Sequence, residues 1–276
     1  MAVRRPTCFA LPLLLPTESE DTATDKRARR RRLGRVRKYV ADCCLQAGSP
    51  IDAIEHYRRA VEECKATGDV AWQAGAVEGC AQCMLCADET KALSAQRAAG
   101  GGVSSGTAPP LPYNPSLAST LREAVSLYAR AQCPEMECAA ATRLALYCAL
   151  SKPASASADT AAGGDGRRAV AESVREQRAL ALAMLRRVTA LAGSMIGQGL
   201  VRARTLMFAA RVAATLRMPR KFALLLRAAA AAAANDRQWG TAHALLLMAA
   251  PWYGLSTEPA CVMAVEGGRG DGDNEA

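Results

Sequence analysis

Large rings are scarce in this chain. Phe, Trp and Tyr together make up 4% of its 276 residues, and alternating runs of β-branched residues are few, so little favours a sheet. Histidine occurs only as His56 and His243. Neither has a second histidine at metal-binding spacing. His56 stands beside Glu55 and Tyr57 with no nucleophile signature around it, which reads as a structural or surface residue. No apolar stretch is long enough to span a bilayer, since Arg227 interrupts the best one. The glycines from Gly100 to Gly106 are not followed by Gly-Lys-Ser/Thr, and no Gly-x-Ser-x-Gly appears, so neither a phosphate loop nor a nucleophile elbow is present. These absences point away from an enzyme. They leave no catalytic residue, no cofactor-binding residue and no metal ligand to name.

What is present is alanine. Apolar residues reach 50%, and alanine costs no side-chain entropy in a helix and lets helices approach closely. An all-α fold follows. The eleven cysteines fall mostly within helical patterns, as small buried thiols of a reducing compartment would. Cys80, Cys83 and Cys86 are the nearest thing to a metal set. On a helix their directions spread over about 120°, so they do not converge on one ion. The net charge of +9 is local. Nine basic residues lie between Lys26 and Lys38 without an acid among them, and the rest of the chain is then neutral. Arg29, Arg30, Arg31, Arg32 and Arg35 form a candidate patch for an acidic partner or an anionic membrane surface. With no aromatic residue interleaved there is no base-stacking platform, so nucleic acid is a minor alternative.

Composition divides the chain. Residues 1–25 read as a disordered leader. Its apolar run from Cys8 to Leu15 is short, is interrupted by Pro12 and lacks a cleavage site, so secretion is not expected. Helices are expected over 26–92, a flexible linker over 93–112, a helical pair over 113–150, a low-complexity linker over 151–166, a helical array over 167–254 and a disordered tail over 255–276. In the first block Ala53, Tyr57, Ala60 and Cys64 share one helix face. Glu55 and Arg59 stand at i,i+4 on the other. Ser49 is expected to cap this helix with Pro50 in its first turn, and Gly68 to close it in a left-handed conformation with Asp69 capping the next. Later stripes are Val174, Ala181, Leu185, Val188 and Ala192; then Ala203, Met207, Ala210 and Ala214; then Phe222, Leu225, Leu226 and Ala229; then Leu245 and Met248.

From Arg37 to Lys65 the layout is that of a tetratricopeptide repeat. Gly48 holds the turn, and Ala53, Tyr57 and Ala60 supply the small, large and small positions. Trp72 and Ala76 restart the pattern one repeat later. The expected architecture is a TPR-like α-solenoid of antiparallel helix pairs, with Gly48, Ala53, Tyr57, Ala60, Trp72 and Ala76 as its defining residues.

The same stretch carries a narrower resemblance. Leu33-Gly34-Arg35, Gly48-Ser49-Pro50, His56-Tyr57, Thr67-Gly68-Asp69 and Trp72-Gln73-Ala74-Gly75-Ala76-Val77-Glu78-Gly79 resemble the most recognisable segment of the TRAPP II-specific large subunit, or NIBP, family. Residues 33–80 carry it, and the block from Gln177 to Leu247 is similar in layout only. The resemblance implies a non-catalytic scaffold subunit of a vesicle-tethering, Rab exchange-factor complex in Golgi traffic. Its partners would be other TRAPP subunits and a Rab GTPase, and its place cytoplasmic and peripheral to Golgi membranes. The chain is far shorter than that family and lacks its α/β and β-rich portions, as a fragment or a reduced relative would. A stand-alone TPR-type adaptor is the alternative.

Overall fold

The computed structural model describes residues 23–98, 111–152, 164–195 and 198–253. They form nine α-helices: α1 Ala23–Gln46, α2 Pro50–Thr67, α3 Val70–Ala98, α4 Pro115–Arg130, α5 Pro134–Leu150, α6 Gly164–Ser194, α7 Gly199–Thr215, α8 Pro219–Asn235 and α9 Trp239–Ala249. A 3₁₀ turn, Ala250–Tyr253, follows. Among the described residues no strand occurs, and one isolated β-bridge joins Pro112 and Lys152. The fold is all-α, as the composition requires.

Helix starts follow the prolines. Pro50, Pro115, Pro134 and Pro219 each occupy a first turn, where the missing N–H would have had no intrahelical partner. Asn114 caps α4, its side-chain oxygen accepting from the backbone N–H groups of Ser116 at 3.0 Å and Leu117 at 3.3 Å. The expected Ser49 cap is not made. Its hydroxyl donates instead to the Asp52 carboxylate at 2.5 Å, a charge-assisted bond. Gly48 (φ +85°) and Gly68 (φ +70°) close the first two helices in the left-handed region, and the Gly68 N–H returns to the carbonyls of Cys64 and Lys65. Later turns take the same conformation without glycine, at Gln132, Arg217 and Arg237.

Helix boundaries differ from the expected ones in three places. α1 begins at Ala23, inside the expected leader, α3 runs on to Ala98, past the expected linker start at 93, and α6 begins at Gly164, inside the linker expected over 151–166. The residues from Lys91 to Ala98 are good helix formers with no breaker before Gly100. The rest of the leader, most of both linkers and the tail lie outside the described residues.

Each helix packs on its neighbours in sequence, and α1 also touches α3 while α5 touches α7. The core is built from small residues: Ala124, Ala140, Ala141, Ala145, Ala209, Ala210, Ala213, Ala229, Ala230 and Ala233 are buried, with Leu185, Val188, Leu206 and Leu226 filling between. Polar ties join helices inside this apolar mass. The Gln177 amide donates to the carbonyls of Cys148 at 2.7 Å and Ser151 at 2.8 Å, so a side chain of α6 satisfies buried carbonyls at the C-terminal end of α5. Arg187 of α6 pairs with the buried Glu137 of α5.

The later stripes need correction. Ala181, Leu185, Val188, Ala192, Ala203, Ala210, Leu225, Leu226, Ala229 and Leu245 are buried, and Phe222 is half-buried. Val174, Met207, Ala214 and Met248 face outward. On α7 the buried line runs through Ala203, Leu206, Ala210 and Ala213. In so uniformly apolar a helix the periodicity cannot select one face, and tertiary contact chose a face one residue away.

Candidate interaction site: the first two helix turns and the arginine helix

The N-terminal motif is organised around Tyr57. Its ring lies against Gly79 of α3, where an added Cβ would fall 2.2 Å from a ring carbon. No residue but glycine fits there with Tyr57 in place. Ala41, Ala53, Ala60 and Ala76 wall the same cluster and have no solvent exposure. The Tyr57 hydroxyl donates to Asp42 of α1 at 2.7 Å, and Lys38 donates to the other oxygen of that carboxylate at 2.7 Å. Burial and the Asp42 acceptor both push the Tyr57 hydroxyl pKa upward, so it stays a donor. One side chain thereby joins α1, α2 and α3.

Trp72 is half-buried. Its ring is tilted at 51° to that of Tyr39, with centroids 5.7 Å apart, and the Arg35 guanidinium lies 5.2 Å from its ring centroid. Cation–π contact and partial exposure suit an indole at a rim. Gly34 is buried against Cys64, whose sulfur would be 3.0 Å from an added Cβ, and Gly75 lies under Lys38 and Tyr128.

The arginine run divides into two sets. Arg27 donates twice to the Thr67 carbonyl, at 3.2 and 3.0 Å, on the last turn of α2. Arg35 pairs with Asp69 at 2.8 Å, with Arg31 at 3.9 Å from the same carboxylate, and Arg37 pairs with Glu63 at 3.2 Å. These side chains clamp α1 onto the α2–α3 turn, and a cation at a helix C-terminus also complements its dipole. Arg29, Arg30 and Arg32 are exposed and make no hydrogen bond or ion pair among the described residues. Of the five patch residues, then, Arg31 and Arg35 are turned to internal work. Sequence reasoning missed the clamp because its acceptors lie 26 to 40 positions away.

A groove of about 600 Å³ lies between α3, α4 and α5, lined by Leu85, Leu117, Leu121, Leu146, Leu150 and Arg143 among others. At its side Glu78 accepts from the Tyr128 hydroxyl at 3.0 Å and pairs with Arg143. Burial lowers the Arg143 pKa. His56 is half-buried and His243 exposed, on helices far apart in sequence. Cys83 is buried while Cys80 and Cys86 are half-buried. Burial pushes the thiols of Cys64, Cys80, Cys83 and Cys138 up to about 11 and that of Cys148 to about 12, so they are protonated and unreactive at neutral pH. No cluster of His, Cys, Asp and Glu suited to a metal ion occurs among the described residues. No helix there is long and apolar enough to cross a membrane.

Comparison with known proteins singles out this same part of the chain. Residues 7–92 match the family model of the Trs120/TRAPPC9 N-terminal domain. The Trafficking protein particle complex II-specific subunit 120 homolog of Oryza sativa subsp. japonica is 53% identical over 62 residues, covering 22% of this chain and 5% of that relative. The homolog of the same name in Arabidopsis thaliana is 50% identical over 62 residues, with the same coverage. Trafficking protein particle complex subunit 9 of Homo sapiens is 42% identical over 74 residues, covering 25% of this chain and 6% of that relative. The chain therefore matches about a twentieth of the length of these relatives. Over its N-terminal part, this chain is similar to the TRAPP II-specific large subunit family, Trs120/TRAPPC9.

Proposed function

We propose that this chain is a non-catalytic scaffold element of a TRAPP II-like vesicle-tethering and Rab exchange-factor complex, acting on the cytoplasmic side of Golgi membranes. The observation that carries the reading is the coincidence of two things on one stretch. The segment matched to Trs120/TRAPPC9 is also the segment whose glycines and tyrosine lock α1, α2 and α3 together. A segment that serves to place helices, with the Cys64, Cys80 and Cys83 thiols kept protonated by burial and His56 in no metal-ligating cluster among the described residues, fits positioning of partners better than chemistry.

On this reading the helices form a TPR-like solenoid. Blocks 26–92, 113–150 and 167–254 are joined by linkers, and Gly48, Ala53, Tyr57, Ala60, Trp72 and Ala76 define its first repeats. Its partners are other TRAPP subunits, with a Rab GTPase reached through the assembled complex. Affinity purification of the tagged full chain from its own cells tests this. Co-purifying TRAPP core subunits, lost when Tyr57 is replaced by Ala, are the expected result. A chain that purifies folded and free of every TRAPP subunit refutes membership and leaves the stand-alone adaptor.

A further inference from the structure

The inner face of α1 is fully used, and the outer face carries a second pattern. Arg29, Arg32, Val36, Val40 and Cys43 recur at steps of three and four and so form one line along the helix. Leu33 and Tyr39 flank that line. All of these side chains are exposed, Val36 at 55% and Tyr39 at 61%. The line is cationic toward the helix start, where Arg30 adds to Arg29 and Arg32, and apolar over the next two turns. Its one acid among the described residues is Asp25, at the extreme N-terminal end; Asp42 lies on the flank and is held by Lys38 and Tyr57. The Tyr39–Trp72 ring pair borders the apolar half, and such rings favour a boundary between water and an apolar phase.

We propose that this face of α1 docks on an anionic lipid surface. Arg29, Arg30 and Arg32 would meet headgroups while Leu33, Val36, Tyr39 and Val40 enter the headgroup–acyl boundary. Charge complementarity and size favour lipid over protein. Four apolar side chains over two turns fall well short of the roughly 20–30 residues a side of a stable protein interface. A few arginines with shallow apolar contact are what reversible binding to an acidic leaflet takes. The arginines clamped to α2 and α3 hold the helix rigid beneath this face, so the lipid-facing groups are presented already ordered. The inference stands independently of membership in a TRAPP complex.

The test is co-sedimentation of the full chain with vesicles of phosphatidylcholine alone and with about a third phosphatidylserine. Binding only to the anionic vesicles, weakening as salt rises, is expected. Arg29→Gln with Arg32→Gln, and separately Val36→Ser with Val40→Ser, should each weaken it by about tenfold or more. Arg204→Gln with Arg211→Gln, which removes the same charge from α7, should leave it nearly unchanged. All variants should keep the parent's circular-dichroism melt, because the replaced side chains are exposed. Absence of binding to anionic vesicles overturns the proposal, as does binding that either α1 variant retains. A concentration-dependent dimer in sedimentation velocity, lost in Val36→Ser with Val40→Ser and unaccompanied by vesicle binding, overturns it in favour of a contact between two copies.

Discussion

Helices α1–α3 and helices α7–α9 solve one packing problem in two ways. In the first set a single large side chain is fitted to a single missing one: Tyr57 against Gly79, sealed by alanines and tethered through Asp42. In the second, alanines stack on alanines, with Ala209, Ala210 and Ala213 of α7 and Ala229, Ala230 and Ala233 of α8 buried together. The first arrangement admits one register, because a shift by one residue would drive a ring into backbone. The second has no such ring-against-backbone lock among its buried alanines. The turns differ in the same sense. Gly48 and Gly68 adopt the left-handed conformation freely, whereas Arg217 and Arg237 adopt it against the steric preference of an L side chain. Specificity is thus concentrated in the part of the chain that resembles Trs120/TRAPPC9.

The sharpest way to break this comparison is to remove the tyrosine. Tyr57→Ala should cost about 3–5 kcal/mol, against about 1 kcal/mol for Ala230→Gly in α8, both read from denaturant unfolding; equal losses would erase the distinction. Gly79→Val should cost about 2–3 kcal/mol by overpacking. In the double variant with Tyr57→Ala the two losses should sum to less than their separate values, because the clash disappears with the ring. Strict additivity would mean that the contact is not tight. For the turns, Gly68→Ala should lose about 1 kcal/mol and Arg217→Gly gain a few tenths, since only the latter relieves a left-handed side chain. A Gly68→Ala protein as stable as its parent would remove that contrast. The smallest effect belongs to Met207→Ser, expected within about 0.5 kcal/mol because Met207 faces outward. A loss of 2 kcal/mol or more, about what a buried methionine costs, would restore the register read from periodicity.

The same contrast governs how far the sequence could be read. Ala53, Tyr57 and Ala60 were legible as core because polar residues fill the opposite face of α2 and glycines mark its ends. Met207, Ala214 and Met248 were misplaced because α7 and α9 are apolar nearly all round, which leaves no moment to orient. Trp72, which restarts the repeat pattern in the sequence, sits at a rim, since its ring is satisfied by Tyr39 and Arg35, both on α1. Gly79 belonged to a recognisable motif, yet its task could not be named before its neighbour was known. The arginine run read as a single patch, whereas the structure turns part of it inward to Thr67, Asp69 and Glu63.

By itself, the sequence determined the helical class, the proline and glycine punctuation of the turns, and the family likeness of the N-terminal part. Each of these rests on local backbone preference or on residue identity at short spacing. Only tertiary structure decided which face of an apolar helix is buried, which arginines are free, and why Gly79 must be glycine. Those outcomes depend on contacts between residues tens of positions apart, and the energy of such a contact belongs to the pair rather than to either residue.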